Sequence, residues 1–413
     1  MHNASPTGHR AEASSTKQRI RGRRFGIYSP RARAIAFISF LVLVFALGGG
    51  SRADIYSLIV LRPLAALFLA YALAGLGAEA WRDIRLPFLL LLGLAALMVL
   101  QLVPLPPSLW TALPARAGIA AMDEALGMGD LWRPLSLAPS KTWNSLFSLL
   151  VPAAALALFA LQDEATRKLA WPVLLGLAVT SAIIGMLQVL GGEGGPFYFY
   201  SITNSRFAVG LFSNRNHQGV FLAAMIVTAA WWFASTRRGD RLAGLTAASA
   251  IAAMILFVPL IFLAGSRAGL ICAVLAVLPA LYMMAQAPLV PARIRLGRRL
   301  ALSRHVVLGA IAAGFTALAV LVVVSSRALA LDRLLGDDPF EGMRAQIAPV
   351  LLQMIRDHYV FGAGFGAFEH AYRIYEPVDL LGPKYLNNAH NDWAQLVIEG
   401  GLPAVVLLLA LVW

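Results

Sequence analysis

The chain has 413 residues, of which 59% are hydrophobic and 13% are charged, and its formal net charge is +13. Soluble domains are about 45–50% apolar and about 25% charged, so this composition argues against a soluble globular protein, and its high hydrophobicity excludes a disordered one. The single cysteine, Cys272, lies in an apolar run, which excludes an intrachain disulfide and a cysteine-based metal site.

Long apolar runs recur along the chain, and most approach the roughly 20 residues that a helix needs to cross a bilayer. They predict an all-α, polytopic membrane helix bundle of about ten spans. Nine runs form the predicted bundle, 34–325: 34–50, 55–77, 86–103, 143–161, 169–190, 218–234, 242–264, 268–287 and 306–325. A tenth begins at 402 and stops at Trp413, which is too short to span, so we expect a truncated sequence.

The basic residues concentrate in alternate connections of this predicted bundle. If the polar tail 1–33 is cytoplasmic, the inward segments carry a large positive excess and the outward segments are near neutral, which is the bias typical of multi-pass membrane proteins. The net charge therefore indicates orientation and not affinity for nucleic acid. The inward segments are 1–33, 78–85, 162–168, 235–241 and 288–305.

Three outward segments are large enough to carry a site: 104–142, 191–217 and 326–401. We interpret 326–401 as an extracytoplasmic catalytic loop that contains short amphipathic helices. One such helix is predicted by apolar residues at helical spacing, and it would lie on the membrane or cap the bundle. Its apolar face comprises Ile347, Val350, Leu351, Met354 and Ile355.

The motif NNAHNDWAQLVIEGG, 387–401, holds the first candidate catalytic residue. Asn388 is a plausible N-cap and Gly400–Gly401 a helix end, which places His390 in the first turn of a short helix. A helix N-terminus attracts anions and disfavours imidazolium, so a neutral His390 is a candidate general base beside a phosphate. The alternative is a histidine that only caps the helix or lies at the interface.

Two arginines at helix ends are candidate ligands of a diphosphate. In LFSNRNHQGVF, Arg215 stands at the outer mouth of a span beside Asn216 and His217. In AGSRAGL, Arg267 lies between two apolar runs. The planar guanidinium suits bidentate binding of phosphate oxygens. The alternatives are an interfacial arginine that reaches lipid headgroups and an arginine that caps a turn. Arg62 lies within a span and points either outward or into the bundle.

Other signals are weaker. FGAGFGAF lacks the βαβ context of a phosphate loop and predicts a turn. Three histidines, His358, His370 and His390, lack zinc spacing, so we expect no metal and no cofactor. Asp392 and Glu399 rank below His390 as bases because a carboxylate is repelled by a diphosphate.

Six pieces of the sequence, in this order, resemble the O-antigen ligase and O-antigen polymerase family. They are QLVPLPPSLW, RPLSLAPSKTW, FSNRNHQGVFLA, GSRAGL, VFGAGFGAF and NNAHNDWAQLVIEGGLP. His390, followed eleven residues later by Gly401, is similar to the family's loop motif. Arg267 and Leu270 approximate its arginine–leucine motif, with two intervening residues instead of three.

The resemblance implies a metal-independent, inverting, GT-C-like glycosyltransferase of the bacterial inner membrane, with its site on the periplasmic face. Such an enzyme transfers a glycan from undecaprenyl diphosphate to a lipid or glycan acceptor. His390 would be the base, and Arg215 and Arg267 would bind the diphosphate. A transporter or flippase of lipid-linked sugars, or of a small anion, is the main alternative, and a non-catalytic scaffold is a further one. Supporting residues would be Asn216, His217, Asn388, Asn391, Arg344 and Gly401.

Overall fold

The computed structural model describes residues 26–52, 55–237, 239–290, 293–295, 301–307, 309–310, 313–314, 317, 339–381 and 386–412. Within these residues, nine helices are long and apolar enough to cross a membrane, and strands are few and short. The predicted all-α, polytopic class is therefore confirmed.

The helices and strands, numbered in chain order, have the following bounds. They are α1 Pro30–Leu47, α2 Ser57–Gly75, α3 Ala78–Leu102, β1 Pro104–Leu105, α4 Pro107–Trp110, α5 Ala117–Ala125, β2 Arg133–Pro134, α6 Pro139–Ser148, α7 Leu150–Ala160, α8 Glu164–Gly191, α9 Arg215–Ser235, α10 Ala243–Leu263, α11 Arg267–Gln286, β3 Arg293–Arg295, β4 Ala301–Ser303, α12 Pro339–His358, α13 Phe368–Tyr375 and α14 Asp392–Val412. A short 3₁₀ turn, Val378–Leu380, lies before α14.

The chain forms two compact units. The first unit comprises Met1–Leu61 and Leu161–Leu329, and the second comprises Arg62–Ala160 and Ala330–Trp413. Eight predicted spans of 34–325 correspond to long helices, with α6 and α7 together forming the fourth. The predicted span 306–325 lies largely outside the described residues, as does most of the tail 1–33.

The core of the first unit is made by α8 to α11. Alanines occupy many of its fully buried positions, beside larger residues such as Leu222 and Phe257. Small side chains let membrane helices approach closely, and the closest approach here joins α9 to α11. A Cβ on Gly269 would lie 2.8 Å from the Cα of Gly219, so both positions require glycine.

The second unit contains the predicted amphipathic helix, α12. Its apolar face is buried against α13 and α14, with Ile347 and Met354 almost fully covered, so the predicted face is confirmed. The helix begins at Pro339, and Pro349 therefore lies in its interior. An interior proline removes one backbone hydrogen bond, which a buried apolar face can offset.

The end of the chain differs from the prediction. The helix α14 runs from Asp392 to Val412 and is long and apolar enough to span, whereas the sequence suggested a short helix followed by a run too short to cross. The predicted break is present, since Gly401 is non-helical with φ 63° and ψ −165°. The helix nevertheless continues beyond it, because Leu402 N–H donates to Tyr359 O at 2.6 Å and Pro403 has no N–H to satisfy.

Candidate active site

The predicted site residues fall into two groups, one in each unit. Arg215, Asn216, His217 and Arg267 lie in the first unit. The second unit contains the remaining predicted residues, Arg344, Asn388, His390, Asn391 and Gly401. Each group is built by a different local mechanism.

In the first unit, α9 and α11 begin side by side, at residues 214–219 and 265–269, which we call the paired helix ends. Arg215 is the first residue of α9 and Arg267 the first of α11. Ser266, the N-cap of α11, accepts from Gly269 N–H at 2.9 Å and donates to Asn216 Oδ1 at 2.8 Å. The cap of one helix is thus bonded to the first turn of the other.

The side chain of Arg215 is positioned by stacking. Its guanidinium carbon lies 4.2 Å from the centre of the Phe207 ring, a cation–π contact, and its backbone N–H donates to Asn204 Oδ1 at 3.0 Å. Gly265 has φ 59°, and a Cβ there would lie 2.7 Å from the Phe207 ring. Glycine at this position therefore allows the ring to lie against the turn before Arg267.

Buried amides hold the loop that precedes Arg215. Gln188 in α8 is almost fully buried, and its Oε1 accepts from the N–H groups of Val209 and Gly210 at 3.0 and 2.8 Å. Its Nε2 donates to the carbonyls of Phe197 and Gly210. Ser181 in the same helix accepts from Leu211 N–H at 3.1 Å. Sequence reasoning missed Gln188 and Ser181, and a polar side chain inside an apolar run was their only signal.

The electrostatics of the paired helix ends favour an anion. Each helix end carries partial positive charge, and neither first turn contains an acidic residue. Arg215 adds a full charge to this region, and Arg267, whose side chain lies outside the described part of the structure, is the first residue of the neighbouring helix. Asn216 and His217 are exposed in the first turn of α9.

In the second unit, the loop at residues 386–391, which we call the histidine loop, corrects two expectations. Asn391 is the cap of α14, since its Oδ1 accepts from Ala394 N–H at 3.2 Å, so the predicted cap Asn388 is wrong. His390 therefore precedes the helix and is not in its first turn. It is exposed and adopts φ 51°, a left-handed conformation that few non-glycine residues adopt.

The histidine loop is held from inside the unit by Gln395. Its Oε1 accepts from Ala389 N–H at 3.1 Å, and its Nε2 lies 3.3 Å from Asn388 Oδ1 and 3.2 Å from Glu399 Oε1. Both residues that precede His390 are therefore bonded to one side chain. Gln395 was not predicted, although its distance of one helix turn from Asn391 could have indicated a shared face.

Glu399 is buried and hydrogen-bonded to the backbone, which indicates a structural role and not that of a base. Its carboxylate accepts from the backbone N–H of Phe368 at 3.0 Å. Its carbonyl oxygen accepts from Gly364 N–H at 3.0 Å and from Gln101 Nε2 at 2.9 Å. These bonds join α14 to residues 359–367, the glycine turn, which forms the turn predicted for FGAGFGAF.

Gly401 has a physical reason to be glycine. Besides its positive φ, a Cβ there would lie 2.7 Å from Gly362 N and 2.8 Å from Val360 O. The kink of α14 and the glycine turn thus contact each other through backbone atoms.

Arg62 points into the second unit, where its Nη1 donates to Asn144 Oδ1 at 2.6 Å. Arg344 is a residue of α12.

Residues 252–409 match the family model described as O-antigen ligase, so this part of the chain is similar to that family. The match includes Arg267, His390 and Gly401, while Arg215 lies before it. Comparisons with curated proteins and with solved structures gave no match.

The nine long, apolar helices among the described residues are those of a multi-pass membrane protein. The similarity of residues 252–409 to the O-antigen ligase model supports a membrane glycosyltransferase-like role in polysaccharide biosynthesis. The part of the chain that the structure describes contains no group of three or more His, Cys, Asp or Glu residues arranged to hold a metal ion.

Proposed function

We propose that this protein is an integral inner-membrane enzyme that transfers a glycan from undecaprenyl diphosphate to an acceptor hydroxyl, as an O-antigen ligase or polymerase. The observation that carries the proposal is the pair of arginine-led helix ends that lie side by side in the first unit. The match to the O-antigen ligase family over residues 252–409 supports the class of reaction.

In this proposal the paired helix ends bind the diphosphate of the donor. Arg215 and Arg267 supply two guanidinium groups, and the first turns of α9 and α11 supply the partial positive charge of the helix ends. As the bond from the anomeric carbon to the diphosphate oxygen breaks, that oxygen gains charge. Donors already aimed at this charge lower the barrier without reorganisation, and the reaction then needs no metal.

His390 is the general base of the proposed reaction. The acceptor hydroxyl oxygen attacks the anomeric carbon, its proton passes to the His390 imidazole, and the bonding electrons leave with the diphosphate. Attack from the side opposite the leaving group inverts the anomeric centre. The positive φ of His390 and the hydrogen bonds of its neighbours, Asn388 and Ala389, fix the backbone from which the imidazole extends.

The test is transfer by purified protein, given undecaprenyl-diphosphate-linked oligosaccharide and a glycolipid acceptor. We expect His390→Ala to abolish turnover and leave thermal unfolding unchanged. His305→Ala is the matched control, because His305 is also an exposed histidine and should retain full activity. Wild-type turnover in His390→Ala would disprove the role of base. Flux of the carrier-linked glycan without product would favour a transporter.

The acceptor is identified by surface-glycan analysis of a deletion strain. A polymerase joins repeat units on the carrier, so its loss leaves only single units on the surface. A ligase uses finished chains, so its loss leaves long chains on the carrier.

A further inference from the structure

A second candidate binding site lies in the second unit, apart from the histidine loop. It is a cavity of about 190 Å³ beside the end of α12 and the segments that flank β2. Ligand sites for drug-sized molecules are roughly 300–1,000 Å³, so a cavity of this size suits a single ring better than an extended ligand. Apolar residues form most of its wall, and Arg116, Asp357 and His358 supply its ionisable groups.

Arg116 provides a buried cation. Only 4% of its surface is exposed, and its Nη2 donates to the backbone carbonyls of Pro134, at 3.1 Å, and Leu135. Burial, together with the nearby charge of Arg133, lowers its pKa to about 10. Arg116 therefore remains charged at neutral pH. Its bonds to the two carbonyls fix the guanidinium, whose planar group has five N–H donors in all.

The hydrogen bonds of Tyr375 determine which ring nitrogen of His358 carries the hydrogen. The hydroxyl of Tyr375 donates its single hydrogen to Asp357 Oδ2 at 2.8 Å. The contact of 3.1 Å between Tyr375 Oη and His358 Nε2 therefore has the histidine as donor, which makes its Nδ1 an acceptor. Burial lowers the pKa of His358 to about 4, with Asp357 opposing that shift and Arg116 adding to it. The imidazole is neutral at physiological pH.

The charges that face this cavity cancel. Arg116 is positive, Asp357 is negative and His358 is neutral, so the cavity has no preference for a diphosphate or another anion. It offers N–H donors from Arg116 and acceptors from Asp357 and His358. It also offers the ring of Phe361, which is 57% exposed. A pyranose ring matches this set, because its edge carries hydroxyl groups that both donate and accept, while its face carries C–H groups.

We propose that this cavity binds one neutral saccharide unit of a glycan substrate. The proposal rests on the glycosyltransferase function above and adds a recognition subsite to it. Val360 and Gly362 line the cavity and contact the kink of α14 at Gly401. From Asn391 to Glu399 that helix rises about 12 Å, so the bound unit lies away from the hydroxyl that reacts at His390.

Binding is tested without catalysis, by saturation-transfer NMR on the full-length protein in detergent. The probes are the methyl glycosides of glucose, galactose, mannose and N-acetylglucosamine. We expect ring-proton signals for at least one probe with wild-type protein. Leu113→Trp fills the cavity and should remove them, and Asp357→Asn should weaken them. Leu126→Trp is the matched control, because it adds the same indole to an exposed position of the same segment that does not line the cavity.

A transfer assay then distinguishes the two sources of the saccharide. Leu113→Trp should raise KM for the donor glycan or for the acceptor glycan by about tenfold, with kcat nearly unchanged. The substrate whose KM rises is the occupant. Absence of probe signals with wild-type protein, or equal signals and equal KM values in wild type and Leu113→Trp, would overturn the subsite. Probe binding without any transfer would instead refute the glycosyltransferase function.

Discussion

The paired helix ends and the histidine loop are both built around predicted functional residues, but different parts of the chain hold them in place. At the paired helix ends, the backbone contact between two glycines and the cap formed by one serine align the starts of α9 and α11. In the histidine loop, one amide side chain, Gln395, bonds both residues before His390. The first arrangement should therefore be disturbed mainly by side chains added at the glycine contact, and the second by loss of the Gln395 amide.

The largest expected effect is that of removing an arginine from the paired helix ends. Arg215→Ala and Arg267→Ala should each lower kcat/KM by about 10²–10³-fold, since in the proposed reaction each removes a positive charge that stabilises the departing diphosphate. Lysine variants should recover part of the loss, because lysine keeps the charge and loses the bidentate geometry. Steady-state transfer kinetics give these values.

Arg206→Ala is the control for those variants, because Arg206 is exposed and paired with Glu193 at 2.5 Å. Loss of activity in this control as large as in Arg215→Ala would show that general charge, and not the paired helix ends, is responsible.

The second prediction tests the contact between backbones. Gly269→Val should destabilise the protein by about 1–3 kcal/mol through overpacking against Gly219, and it should move the two helix ends apart. Gly176→Val places the same side chain in α8, where a Cβ would meet no atom within 4 Å. Thermal unfolding in detergent measures both variants, and equal stability would contradict the importance of the glycine contact.

The smallest effect is expected for the side chain that supports the histidine loop. Gln395→Met keeps the volume and removes every hydrogen bond, so kcat should fall about tenfold with little change in KM. Gln395→Glu retains an acceptor for Ala389 N–H and should recover part of the rate. Gln353→Met, an exposed position of α12, is the control. A rate for Gln395→Met equal to wild type would show that the loop holds His390 without this residue.

Composition and spacing predicted the features that depend on local chemistry. Apolar runs located the spanning helices, helical spacing located the buried face of α12, and arginines at the edges of apolar runs marked the starts of α9 and α11. The cap of α14 was misplaced by three residues, because Asn388 and Asn391 are equally good caps and only the bond to Gln395 distinguishes them. The partners in such contacts, like the bonds of Gln188 to residues 209 and 210, cannot be predicted from the neighbouring residues in the sequence.

The bond between Ser266 and Asn216, with the glycine contact beneath it, has a consequence for the energetics of binding. Because the two helix starts are already joined, a ligand that contacts both need not spend binding energy on bringing them together. The entropy of alignment is lost when the protein folds and not when such a ligand arrives. The paired helix ends are therefore preorganised for a ligand that contacts both, and its binding and release require no rearrangement of their backbone.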